Sequence, residues 1–313
     1  MKKIFSILAV ATLLMVSCEN GDVETFNPNE IRVEASMKQT RASATSFEIG
    51  DKMGLYAVEY DGDNVAGLQV SGNFINNEAL VYNGTTWAGT RTLYWSDKPC
   101  DFYAIYPYQE PKSIDTYLFD LPTNQNTPET EDALSGYEAA DLMWAKTTKV
   151  SREDGAVQLQ FKHMMSKVVV KIEKGEKWGD YELPKDITVH LYNTVTTAEV
   201  DFTHGSLQRY AYGEKETITM KQTSEDTFAA IVVPQNIERR TPLVEITMEG
   251  IAYLLNYSMS FRPGYQHTIT VTLNSNPEQE KIEISLALGG EGLHELIDLI
   301  FCPDVNASCG LVQ

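Results

Sequence analysis

Alternation limits what this chain can fold into more than any other feature. In Ile187-Thr188-Val189-His190-Leu191-Tyr192 and Thr268-Ile269-Thr270-Val271-Thr272-Leu273 the residue type alternates with a period of two. That period gives a strand with one face on a core and the other toward solvent. Lys52–Tyr60, Thr92–Tyr108, Ala156–Ile172, Thr227–Val233, Leu243–Met248 and His267–Leu273 also read as strands. They are rich in Val, Ile, Thr, Tyr and Phe and are parted by Gly, Asn, Asp and Pro clusters. No helical-period segment of useful length precedes the C-terminal tail. The expected architecture is all-β, with Greek-key β-sandwiches in tandem. Their junction is expected near His163, with an N-terminal sandwich over 42–163 and a C-terminal one over 164–274. Asn274–Glu280 reads as a linker.

Two segments outside this body share one pattern. Ile31, Val33, Ala35 and Met37 alternate with charged or polar residues before it, and Ile282, Ile284, Leu286 and Leu288 alternate in the same way after it. Each is an amphipathic strand reached by a flexible approach, Lys38–Ser46 in the first case and Asn274–Glu280 in the second. Either is the terminal strand of its own domain, or the two are interchangeable. In the second case a sheet left one strand short exposes unpaired backbone, which a strand from another molecule can complete. Thr40–Ser46 is small and polar, the texture of a protease-accessible linker, and Arg41 is its site for a trypsin-like cut, leaving Ala42 as the new first residue.

The start of the chain reads as an export signal. Lys2 and Lys3 precede the apolar run Ile4–Val16, and Ser17-Cys18 closes it. Residues 1–17 are expected to be a lipoprotein signal peptide and Cys18 the lipidated first residue. Residues 18–41 are then a tether with a removable strand. The other reading is an ordinary cleaved signal with a spare cysteine. No later stretch reaches the ~20 apolar residues of a membrane helix, so lipid is expected to be the only membrane attachment. The formal charge of −19 argues against nucleic acid and anionic membrane surfaces as partners. Cys100, Cys302 and Cys309 make neither a disulfide framework nor a metal spacing, although Cys302 and Cys309 could bridge.

Catalytic motifs are missing: there is no Gly-x-Ser-x-Gly, His-Glu-x-x-His, phosphate-binding glycine loop or EF-hand spacing. His163 reads as a hydrogen-bonded core or junction residue. Tyr94, Trp95, Phe102, Tyr103, Tyr106 and Tyr108 read as packing before they read as a sugar platform, and Trp144 as core. The acidic runs Glu129–Asp132 and Glu153-Asp154 read as exposed loops, and Pro122–Ala140 as a long polar segment. No enzyme activity, metal or cofactor is expected.

Several runs, in order, resemble the fimbrillin (Mfa-like) family, type V pilus subunits of Bacteroidetes. They are Thr40-Arg41-Ala42 with Phe47–Ala57, Asn83–Trp87, Leu93–Tyr108, Leu121–Gln125, Asp141–Lys146, Leu159–Ile172 and Phe261–Asn274. The resemblance implies two transthyretin-like sandwiches in a lipoprotein precursor of the cell outer membrane. It implies lipid on Cys18 and cleavage after Arg41 by a trypsin-like protease. Loss of Ile31–Lys38 would then open a groove for the C-terminal strand of another fimbrial subunit. The protein would be a stalk or tip subunit of a fimbrium, with host or bacterial surface ligands as further partners. The alternative is a surface lipoprotein that binds glycan or host protein without polymerising. The tail departs from the family: Leu293, Leu296, Ile297 and Ile300 have helical spacing, read as a short amphipathic helix, an unusual cap or an altered reading frame. Residues 275–313 are accordingly a linker, a candidate donor strand and an atypical tail.

Overall fold

The computed structural model describes residues 27–37, 46–131, 133–238 and 240–274, and the backbone of Ile284–Gly289, Leu299–Cys302 and Gly310–Leu311. Strands dominate. Among the described residues the single α-helix, Gly136–Ala140, is one turn long, opened by a capping box between Ser135 and Glu138. It lies inside the polar segment Pro122–Ala140. No helix among the described residues is long and apolar enough to cross a membrane, which says nothing of a β-barrel.

The first sheet runs from edge to edge as Val33–Met37, Val157–His163, Met143–Val150, Cys100–Tyr106, Lys52–Asp61, Ile75–Tyr82 and Trp87–Gly89. A second sheet orders Lys221–Ser224, Thr227–Val232, Ser166–Lys174, Gln266–Leu273 and Ile284–Gly289. A third orders Lys215–Thr219, Thr188–Val195, Pro242–Met248, Ile251–Asn256, Leu299–Cys302 and Gly310–Leu311.

Most strands expected from alternation lie within a residue or two of their place, but two readings need correction. Thr92–Tyr108 is not one strand. Ser96-Asp97-Lys98-Pro99 turns the chain, with the Ser96 hydroxyl accepting from the Lys98 N–H at 3.2 Å. The strand therefore starts at Cys100, and it ends at Tyr106, before a proline that has no N–H to give. Ala156–Ile172 is two strands, Val157–His163 and Ser166–Lys174, parted by the buried pair Met164-Met165. They belong to different sheets. The helical spacing of the tail does not hold at Ile300, which lies in the strand Leu299–Cys302 paired with Ile251–Asn256. Pairing to an open sheet edge decides the backbone there. Leu293, Leu296, Ile297 and Cys309 lie outside the described residues.

Among the described residues two apolar cores result. The smaller is built wholly from the first part of the chain, from Ile31 to Phe161, and includes Met53, Leu55, Phe102 and Leu159. The larger joins Tyr56, Val58, Tyr103 and Ile105 of the first sheet to Val168, Phe228, Ile246 and Val271 of the others. Period two explains the split. Along Cys100–Tyr106 every residue is buried, because Cys100, Phe102, Ala104 and Tyr106 face the small core while Tyr103 and Ile105 face the large one. Asp101 is buried as well but belongs to neither apolar core; its carboxylate accepts from the Tyr60 hydroxyl and the Lys149 N–H, each at 2.9 Å, and lies 3.5 Å from Lys146.

Backbone also crosses between the halves. Tyr117–Asp120 pairs with Thr197–Asp201, and the Trp144 indole N–H donates to the Phe202 carbonyl at 2.7 Å. Gly205, at φ +60°, lies against the Trp144 ring, where any side chain would collide.

Candidate functional site: the seat of the N-terminal strand

Val33–Met37 forms the outer edge of the first sheet, parallel to Val157–His163 in the register Val33↔Val157 to Met37↔Phe161. Just upstream, the Ile31 N–H donates to the Leu93 carbonyl at 2.8 Å and the Trp95 N–H to the Asn29 carbonyl at 2.9 Å. The arm from Asn29 to Met37 is thus held by Leu93–Trp95 at its start and by Val157–Phe161 along the rest. Two side-chain contacts reinforce it: Arg152 to Asn29 at 3.0 Å, and Gln158 to Glu34 at 2.8 Å.

All of the apolar side chains expected on this strand point inward. Ile31 and Val33 are 7% and 5% exposed, and Ala35 and Met37 are half-buried against the small core. Arg32, Glu34 and Ser36 are exposed. Val157, Leu159 and Phe161 form the buried floor beside them. Burial of each aliphatic side chain contributes about 1.5–3 kcal/mol, an upper bound because the unfolded chain already hides part of its surface.

The chain re-enters the core at once on the far side of 38–45. The Phe47 ring packs edge-on against Trp87, Tyr106 and Phe161, with centroids 4.9, 5.4 and 5.5 Å apart. Met37 and Phe47 therefore anchor the two sides of the segment that contains Arg41 and Ala42, which lie outside the described residues, as does Cys18. Alternation alone did not reveal Phe47, Asn29 or Leu93–Trp95 as parts of this site. The aromatic opening of Phe47–Ala57 was the available signal for the first. The others are backbone contacts with no side-chain signature.

The second candidate strand occupies a different edge. Ile284–Gly289 pairs antiparallel with Gln266–Leu273, from Leu273↔Ile284 to Thr268↔Gly289, and ends the second sheet. Ile284, Leu286 and Leu288 fall on that strand, while Ile282 lies outside the described residues.

The remaining candidate residues are structural. His163 is buried, with its Nδ1 3.0 Å from an Asp141 oxygen. Phe102, Tyr103 and Tyr106 are buried, whereas Tyr94 is 54% exposed. The Tyr106 hydroxyl donates to Asp51 at 2.7 Å, and burial followed by that bond pushes its pKa far above the usual tyrosine value. Burial, with Glu59 and Asp101 nearby, pushes the Cys100 thiol up to about 12, which leaves it inert at neutral pH. Among the described residues no group of three or more His, Cys, Asp or Glu could hold a metal ion.

The sequence profile described as fimbrillin-like matches residues 40–287, well over half of the chain. This protein is a member of the fimbrillin-like family. It is 33% identical over 138 residues to a Bacteroides ovatus protein named "Putative fimbrium tip subunit Fim1C", a match covering 41% of this chain and 24% of that one. It is 21% identical over 201 residues to "Fimbrium subunit Fim1C" of Phocaeicola vulgatus, covering 55% and 52%. The chain thus spans about a quarter and about half of these curated relatives. A crystal structure from Bacteroides uniformis, titled as a "putative cell adhesion protein", shares the fold at TM-score 0.60 and 22% identity, covering 83% of this chain and 97% of that one. A second, from Bacteroides ovatus under the same title, also gives 0.60, at 16% identity and with 85% and 99% covered. The names of these relatives describe fimbrial subunits and cell adhesion proteins.

Proposed function

We propose that this fimbrillin-like chain is a stalk or tip subunit of a cell-surface fimbria, exported as a lipoprotein anchored through Cys18. Cleavage after Arg41 then removes the N-terminal strand, and the subunits polymerise by strand donation. The proposal reads the two halves as tandem transthyretin-like sandwiches, with other fimbrial subunits as the partners. One observation carries it: the arm from Asn29 to Met37 contributes to the small core alone, and none of its residues enters the large core that joins the halves.

Removing the arm would bare the edge of Val157–His163, the floor of Val157, Leu159 and Phe161, and the backbone of Leu93–Trp95. A strand carrying apolar side chains at alternate positions would fill that seat, and Ile282, Ile284, Leu286 and Leu288 have that spacing. A sheet-terminating position suits a donor, because only one neighbouring strand must be released.

The test is cleavage with a trypsin-like protease, confirmed by N-terminal sequencing at Ala42. Oligomers that resist heating in SDS are expected from the cut wild type, while Arg41→Ala is expected to stay monomeric. Equal assembly by the uncut variant would sink the mechanism.

A further inference from the structure

The seat of the arm from Asn29 to Met37 has two unlike ends. At one end stands Phe47, which follows the proposed cut and so stays with the body. Its ring packs at 5.5 Å on Phe161, the floor residue opposite Met37, and at 5.4 Å on Tyr106. At the other end the backbone of Leu93–Trp95 is held by Asn29, Glu30 and Ile31, all of which belong to the arm. Loss of the arm would therefore open the Leu93–Trp95 end and leave the Phe161 end walled by Phe47.

Charge divides the ends in the same way. Beside Met37, the carboxylates of Glu48, Asp51, Glu129, Glu138 and Asp141 line one cavity, with Lys221 as the cation among its described lining residues. At the other end the Arg152 guanidinium donates to Asn29 at 3.0 Å and lies 3.6 Å from Glu153. It loses the first of these contacts when the arm goes. Tyr94, 54% exposed and bridged to Glu30, flanks the same opening.

A strand arriving from a second copy is lopsided too. In sequence, Ile284 is preceded by Glu278, Glu280 and Glu283, with Lys281 among them, and before those by the folded body. Leu288 is followed by Gly289-Gly290, which brings no side chain against Phe47. The acidic run and the bulk of a folded body suit the open end with its freed arginine, and the slim end suits the walled one. A bare strand edge can hydrogen-bond a partner in either direction, so the ends of the seat, not its floor, set the polarity.

We propose that the donated strand lies parallel to Val157–His163, with its Ile284 end at Leu93–Trp95 and its Leu288 end at Phe47. The body of the donating copy then docks on the face around Tyr94 and Arg152. The inference rests on the strand-donation reading above and adds to it a direction and a contact surface.

The experiment uses the whole chain, cut after Arg41 and assembled. One protein carries Tyr94→p-benzoylphenylalanine. Another carries Ile49→p-benzoylphenylalanine, at a position 77% exposed that lines the cavity beside Met37. Both side chains are exposed, so the larger ring is expected to leave the cores intact. Probe copies are isotope-labelled and mixed with unlabelled ones, so that a cross-link between copies joins a heavy peptide to a light one. After irradiation, trypsin divides the donor region between Lys281 and Ile282.

The probe at 94 should mark the light peptide that ends at Lys281, and the probe at 49 the light peptide that begins at Ile282. The exchanged pattern, or no mark between copies from 94 in heat-resistant oligomers, would overturn the inference and leave strand donation standing. Absence of such oligomers from the cut wild type would sink both.

Discussion

The small and large cores are built by the same period-two rule and differ in what they bind together. The small core takes side chains only from the first part of the chain, including Ile31 and Val33 of an edge strand. The large core takes one face of the first sheet and packs it on strands from the second half. The edge strand over the first shares no residue with the joint in the second. The difference teaches that an edge element can be confined to one core while the rest of the molecule is held by another.

Four substitutions or conditions probe that separation. Phe228, 2% exposed in the large core, should cost about 3–5 kcal/mol as Phe228→Ala, seen as a drop in urea stability. The loss should affect both halves together. Val33→Ala should cost about 1–2 kcal/mol, and its clearest sign should be faster trypsin cutting near Arg41. Global unfolding on the scale of Phe228→Ala would break the distinction between the cores. Trp144→Phe removes the hydrogen bond to Phe202 while keeping most of the ring, and should cost about 1 kcal/mol in urea unfolding. A loss confined to the N-terminal arm would show that this bond does not belong to the joint.

The smallest effect expected is one of pH at the sheet that carries the C-terminal strand. Burial, and then the Arg262 charge, lowers the His267 pKa below its ordinary 6.5. Its Nε2 accepts the Arg262 N–H at 3.3 Å, which requires the neutral ring. Folding therefore disfavours protonation. The stabilisation is complete above 6.5 and is lost as pH falls through the lower folded value. Thermal melting between pH 7 and 5 should show this acid-side decline, and His267→Gln should flatten it. An unchanged slope in the variant would assign the decline to other groups.

Much of this was legible in the linear pattern. Alternation in Thr268–Leu273 and Ile187–Tyr192 marked strands, and the same spacing in Ile31–Met37 marked the strand that seats on the small core. Two neighbouring runs were misjudged for a common reason. Thr92–Tyr108 and Ala156–Ile172 are apolar enough to look continuous, yet each contains a break where backbone hydrogen bonds change partner. Local composition carries no record of partners. The seat itself was half visible: its side chains follow from spacing, but Asn29 and Leu93–Trp95 act through main-chain groups that every residue possesses.

By itself the sequence determined an all-β chain with an amphipathic strand on either side of its body and an arginine-bearing segment after the first, because periodicity and turn chemistry are local properties. Tertiary structure alone decided that the first strand lies parallel on a core of its own while the other closes a different sheet. It also decided that carboxylates far apart in the chain line one cavity beside that segment. Strand partners and shared cavities are set by long-range packing, which no short window of residues encodes.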